Sequence, residues 1–318
     1  MVLPPGGLLT EIIDRRTEQM RAVIDSHMHL INTKCFDKPT YDRLGQSIPR
    51  DTDIDQLVQW MKAAGVEHCV CMGQDMHKVW NSEFGEIAVE TSYAKYPDFF
   101  IPFCSVEPID EAGRFSEKNF DYVTDKLNRQ GYRGVLFTPP YGQFNSNDPV
   151  MFPFYEAIQK ADAVCQYHHS AAGGPTVLAH TKYAKMENLN DVTFHFPHMK
   201  KVVEHIGYPW SEYLFTMMKN DENLWTDLAM LYNRPIWMTW NMVLAKEMGV
   251  LDRVMFASDF VAASNDLFGP DPTQDLLNWI DLVENGMNRI CRQSGWPEFT
   301  EQDIQGILHD NAARLYNL

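Results

Sequence analysis

With 318 residues, 45% of them hydrophobic, the chain is long enough for one large barrel domain and apolar enough to fill its core. A formal net charge of -16 without any basic stripe argues against a nucleic-acid partner, and no apolar run exceeds strand length, so no segment spans a membrane. A small anionic ligand stays compatible, because one metal ion and one arginine can reverse the local field. Residues Met1 to Gly7 lack the basic and apolar regions of a signal peptide. The six cysteines (Cys35, Cys69, Cys71, Cys104, Cys165, Cys291) lie mostly in apolar strand-like runs. They read as reduced core residues of a cytoplasmic protein, Cys69-x-Cys71 included.

Taken in order, residues 1–20 form a lead-in with helical character from Leu8 to Met20. Val23 to His29 reads as the first strand, followed by a polar loop to Arg50. Asp51, Thr52 and Asp53 are capping candidates for a helix to Ala64, which Gly65 ends. Val66 to Met72 is the second strand, and a loop with Asp75, His77 and Trp80 precedes a helix over Ser82–Tyr96. Phe99–Val106 is the third strand, Ser116–Gln130 a helix, Gly131–Thr138 the fourth strand and Met151–Ala161 a helix. Ala163–His169 forms the fifth strand and ends in His168-His169 before the turn Ala171-Ala172-Gly173-Gly174-Pro175. Lys200–Gly207 supplies the sixth, with His205 near its end. Helix Pro209–Lys219, strand Leu224–Leu228, helix Pro235–Met248 and strand Arg253–Asp259 follow. Residues 265–318 are a helical tail, Thr273–Arg292 and Glu301–Tyr316, expected on the barrel exterior.

Eight strand–helix units are what a (β/α)8 TIM barrel requires, and such barrels carry their sites at strand C-termini. A doubly wound sheet would want a glycine-rich phosphate loop, and none is present. In a strand, residues i and i+2 share a face, so His27 and His29 project side by side as two convergent nitrogen ligands. Asp259 brings a carboxylate to the end of the last strand.

Five stretches together resemble the amidohydrolase superfamily, in the branch of aminocarboxymuconate-semialdehyde decarboxylase-like enzymes. They are Ile24–His29, His169–Gly174, Pro197–Gly207, Asp252–Asp259 and Ile307–Tyr316. The resemblance implies one divalent metal, zinc or manganese, held by His27, His29, His169 and Asp259, with His205 beside it as an acid/base. His168 and His169 point to opposite faces of the strand; the turn register after it favours His169, and His168 is the alternative ligand. The fourth strand offers Leu136, Phe137 and Thr138, with no lysine or glutamate to bridge two metals, so one metal is expected.

The implied reaction is non-oxidative decarboxylation of an aromatic or unsaturated carboxylic acid, with Asp259 or His205 delivering the proton. Hydrolysis of an amide, lactone or carbon–carbon bond is the alternative on the same ligands, and a non-catalytic metal-dependent binding protein a third reading. Arg234 is a candidate for pairing with a substrate carboxylate, and His168, His77 and Trp80 for lining the pocket. Tyr141, Phe144 and Trp240 are candidates for an apolar wall. His180, His195, His198 and His309 are expected to be structural or surface residues. The family's habits suggest a homodimer.

Overall fold

The computed structural model describes residues 21–318 except 36, 44, 46, 49–50, 52, 82, 172–178 and 262–270; of 79–80, 83–84 and 260–261 it describes the backbone alone. The lead-in helix and most of the expected 171–175 turn lie outside these residues. Eight parallel strands follow the chain: β1 Val23–His29, β2 Val66–Met72, β3 Phe100–Ser105, β4 Gly134–Phe137, β5 Val164–Tyr167, β6 Lys200–Val203, β7 Leu224–Asp227 and β8 Val254–Met255. Each pairs with its predecessor in sequence order. The expected eighth strand is thus interrupted, and closure against β1 is made piecewise. Ser26 N donates to Phe256 O at 3.0 Å and Asp259 N to His27 O at 2.8 Å. Beyond these, Phe260–Val261 pairs in parallel with Met28–His29. The fold is a (β/α)8 barrel.

A buried carboxylate reinforces that seam. Asp25 accepts from Ser258 N at 2.9 Å, Ser258 Oγ at 2.5 Å and His27 N at 3.3 Å. Burial raises its pKa to about 6.

Helices α1 Ile54–Ala63, α2 Glu86–Lys95, α3 Glu117–Arg129, α4 Phe152–Lys160, α5 Met186–His195, α6 Ser211–Asn220 and α7 Pro235–Glu247 fill the crossovers. Side-chain caps start two of them: Asp53 accepts from Gln56 N at 3.1 Å before α1 and Ser116 from Asn119 N at 3.3 Å before α3. The helix expected from Ser82 starts later. Gln74–Asp75 and Glu83–Phe84 form a small antiparallel pair around the short helix His77–Trp80. Gly85 follows with φ 93°, and a Cβ there would stand 2.1 Å from Leu30 O. Only glycine turns the chain into α2 at that approach.

Two apolar layers hold the barrel. One lies between sheet and helices, and the other fills the barrel with Ile24, Val70, Phe103, Leu136, Val202 and Trp225 among others. Ala312, Leu315 and Tyr316 of the last helix belong to this inner layer. The tail therefore does more than cover the outside. Spaced i, i+3, i+4, these side chains form one apolar face that plugs the end of the barrel opposite the strand C-termini, and Arg133 Nη2 donates to Tyr316 O at 2.6 Å.

Behind β3, Glu86 accepts from Ser105 N at 3.0 Å and from the Tyr122 hydroxyl at 2.6 Å. Burial pushes its pKa up to about 8; burial and then the Asp75 charge do the same for Glu107. Both folded values exceed the unfolded value, so the stability these groups contribute is complete below about pH 4.3. It is lost as pH rises through 8. The thermal midpoint is expected to fall between pH 5 and pH 9 by several degrees, and Glu86→Gln to flatten that fall. A wild-type midpoint independent of pH across this range would contradict the assignment.

Candidate metal centre

The strand C-termini converge on a buried cluster. β1 supplies His27 and His29, the residue after β5 supplies His168, and β7 ends in Asp227. Beyond β6 lie Glu204 and His205, and Asp259 follows the break in β8. A register shift between Asp25 and Met28 lets β1 turn both histidines inward. Consecutive residues of a regular strand face opposite ways, yet Glu204 and His205 both reach the cavity. The reason is a left-handed turn, with φ 58° at His205 and 45° at Ile206.

Three donors form a compact set: His27 Nε2 stands 3.1 Å from His29 Nε2, and each nitrogen lies 3.4 Å from Asp259 Oδ1. Bonds of about 2.0–2.2 Å to one tetrahedral cation would separate donors by roughly 3.4 Å. The spacing fits such an ion. On its far side the His27 ring meets Asp227, Nδ1 to Oδ2 at 3.3 Å, which fixes the tautomer that leaves Nε2 bare toward the cavity. Asp227 Oδ1 also accepts from His205 N at 2.8 Å and Ala229 N at 3.0 Å.

The charge balance also asks for a cation. Glu204, Asp227 and Asp259 are buried, and among the described residues their partners are imidazoles, an amide and backbone N–H groups, with no lysine or arginine. Burial alone would lower the His27 pKa, but Glu204, Asp259 and Asp227 raise it to about 10. Without a metal, His27 carries the proton that this negative charge demands. Against the effect of burial, His27, His168 and His205 hold Glu204 below the ordinary carboxylate range. Burial first, then the His27 charge, lowers His29 to about 3, while burial raises Asp259 to about 6.

The two fifth-strand histidines part company. His168 continues the ladder, its N donating to Phe137 O at 3.0 Å, and turns its ring inward to Glu204 Oε2, 2.9 Å from Nδ1. His169, expected as the ligand, points the other way: its Nε2 meets Ser146 Oγ at 2.8 Å and its ring lies against Tyr167. The alternation is legible once Gln166 is read as inward, since it donates to Glu204 Oε1 at 3.0 Å; Cys165, Tyr167 and His169 then face outward. His169→Gln is accordingly expected to leave bound metal unchanged and to lower the thermal midpoint, with His168→Gln disturbing the cavity instead. Metal analysis beside a melting curve checks both.

Of the other candidates, Tyr141 faces the cavity with its ring 5.2 Å from His168. Phe144 is buried against Phe137, and Trp240 sits on α7 packed at a tilt against Trp296, so neither walls the site. Arg234 is exposed at the start of α7, its guanidinium 5.0 Å from the Tyr208 ring centroid, and it pairs with none of the cavity carboxylates. The Trp80 side chain lies outside the described residues. Sequence reading missed Glu204 and Asp227. Period-two counting inward from Val202 and Trp225 would have found both.

The model for the amidohydrolase family matches residues 24–318. The chain belongs to that family. Solved structures of similar fold include enzymes of the amidohydrolase 2 branch. One is 5-carboxyvanillate decarboxylase from Novosphingobium aromaticivorans, complexed with manganese and 4-hydroxy-3-methoxy-5-nitrobenzoic acid; it is 14% identical with a TM-score of 0.66, over 95% of this chain and 97% of that one. Another is a probable 2-pyrone-4,6-dicarboxylic acid hydrolase from Acinetobacter baumannii, 15% identical with a TM-score of 0.64, over 94% and 100%. A third is 4-oxalomesaconate hydratase from Rhodopseudomonas palustris, 17% identical with a TM-score of 0.61, over 93% and 95%. No curated protein matches the sequence. This amidohydrolase is an enzyme of a metal-dependent superfamily, and among its described residues no helix is long and apolar enough to cross a membrane.

Proposed function

We propose that this amidohydrolase is a metal-dependent decarboxylase acting, without oxidation, on a small aromatic or unsaturated carboxylic acid. The observation that carries the reading is the convergence of His27, His29 and Asp259 within 3.1–3.4 Å of one another. Those three residues would hold one divalent ion, zinc or manganese, with His168 in place of His169 as the fifth-strand histidine at the cavity. The ion supplies a Lewis acid that polarises a substrate oxygen.

The chain's own groups account for the proton. Asp259, buried against His27, His29 and His205, is one group placed to deliver it. As the carboxylate leaves as CO2, the electron pair of the broken carbon–carbon bond stays on the substrate carbon and takes that proton. His205 is the second group able to move it: its ring stands 4.0 Å from Asp259 Oδ2 and is oriented by a contact of 3.0 Å from Nδ1 to Ala229 O. The Tyr141 ring offers a flat wall to an unsaturated substrate.

The test is CO2 release from hydroxybenzoates and muconate-type acids by the metal-loaded protein in D2O. Deuterium at the vacated carbon supports the proposal, and absence of turnover across both acid classes defeats it. Hydrolysis of an amide, lactone or carbon–carbon bond is the second reading, favoured by the resemblance in fold to the probable dicarboxylic acid hydrolase. Solvent oxygen-18 in the product would select it.

A further inference from the structure

A group of titratable side chains at the barrel mouth stands outside the machinery described so far. We infer that His77, held by the buried carboxylate of Asp75, is a specificity element that binds a second anionic group of the substrate, at the end away from the cation. The inference rests on the proposed carboxylic acid substrate and adds to it a preference for diacids.

The His29 ring hydrogen-bonds the backbone of Gly73, the residue that follows β2. Two residues on, Asp75 ties three strand exits together. Its N donates to Ser105 Oγ at the end of β3 at 2.9 Å, and its carbonyl accepts from Thr138 Oγ1, just past β4, at 3.3 Å. Its Oδ2 accepts from Glu107 N at 2.7 Å. The short helix His77–Trp80 packs on the turn Pro139–Gly142, which carries Tyr141 with its ring 5.2 Å from His168. His77 therefore stands on the rim at the strand C-termini, next to the turn that supplies the proposed wall for an unsaturated substrate.

The bonding of Asp75 exceeds what its burial requires. Only 3% exposed, it already accepts main-chain N–H bonds from Glu107 and, at 3.3 Å, from His77. Any residue but proline at 77 would supply the second of these. The chain adds an imidazole, its Nδ1 2.5 Å from Asp75 Oδ1, with 48% of the His77 side chain exposed. With Nδ1–H donated to Asp75, protonation of the ring places its second N–H, at Nε2, on the opposite edge. Glu107 adds no charge to this pair at neutrality, because burial and then the Asp75 charge raise its pKa to about 8. Asp75 is thus the anion of the group and His77 its counter-ion. Among the described residues no lysine or arginine pairs with the cavity carboxylates Glu204, Asp227 and Asp259. His77 supplies at the rim the cationic N–H that a second substrate carboxylate needs.

The experiment measures the binding of isophthalate and of benzoate to the manganese-loaded full-length protein by calorimetry; isophthalate carries the second carboxylate and benzoate lacks it. The wild type is expected to bind isophthalate about tenfold more tightly or better. That preference should vanish in His77→Gln and in Asp75→Asn and persist in Lys78→Gln, which removes the neighbouring exposed charge. Equal affinities in the wild type, a preference that survives His77→Gln, or one that disappears in Lys78→Gln would each overturn the assignment. His77 is exposed enough for its variant to fold, so it decides the matter even where Asp75→Asn does not. A preference for isophthalate without CO2 release from 4-hydroxyisophthalate would defeat the decarboxylase reading and leave this one standing, whereas binding of neither acid defeats both.

Discussion

Replacing His27 by glutamine is expected to abolish tight divalent-metal binding and to cut turnover by about a thousandfold or more. His27 is the hub of the cavity. Its Nε2 stands 3.1 Å from His29, 3.4 Å from Asp259 and 3.6 Å from Glu204, while its Nδ1 leans on Asp227. The variant should also weaken the metal-free fold. Because the folded pKa of His27 is raised to about 10, its contribution is complete below the ordinary histidine value and is lost as pH rises through 10. The stability deficit of His27→Gln should therefore be largest near pH 6 and shrink toward pH 10. Metal analysis together with denaturation at both pH values checks the two halves of this expectation. A variant that keeps a full complement of metal would remove His27 from the ligand set.

The second large effect is on the fold. Asp25→Ala removes the acceptor shared by Ser258 N, Ser258 Oγ and His27 N at a position with no solvent exposure. Each buried donor left unpaired costs about 1–3 kcal/mol, so the total for the three is on the order of 3–9 kcal/mol. For a chain of this size that corresponds to a fall of roughly 10 °C in the thermal midpoint. Calorimetry on the variant decides it. A midpoint within a degree of wild type would mean that the backbone contacts Ser26–Phe256 and Asp259–His27 close the barrel without help.

Much of this architecture could be read from the chain because local signals and packing agree. The strand Val66–Met72, the Asp53 cap and the first-strand histidine pair stand where periodicity and capping chemistry place them. What escaped were departures from regular geometry. The eighth strand breaks after Met255, and Asp259 takes φ 54° as the chain leaves the sheet. His205 reaches the cavity only through its left-handed turn; a regular strand would have set it opposite Glu204, which alternation from Val202 already turns inward. His169 was favoured over His168 because a turn register outweighed the two-residue alternation that Gln166 marks. The hairpin after Met72 was hidden for a different reason: it depends on Gly85 passing close to Leu30, a tertiary contact with no local signature.

Asp227 donates to no ion in this scheme, yet it is the ruler of the cavity. One of its oxygens sets the tilt of the His27 ring and the other pins the main chain at His205, so two opposite walls take their interval from a single side chain on a third. Lengthening that side chain by one methylene, as in Asp227→Glu, would reset the gap between those walls without changing any proposed donor. Selectivity among ions of different radius is therefore adjustable from β7 without touching a ligand.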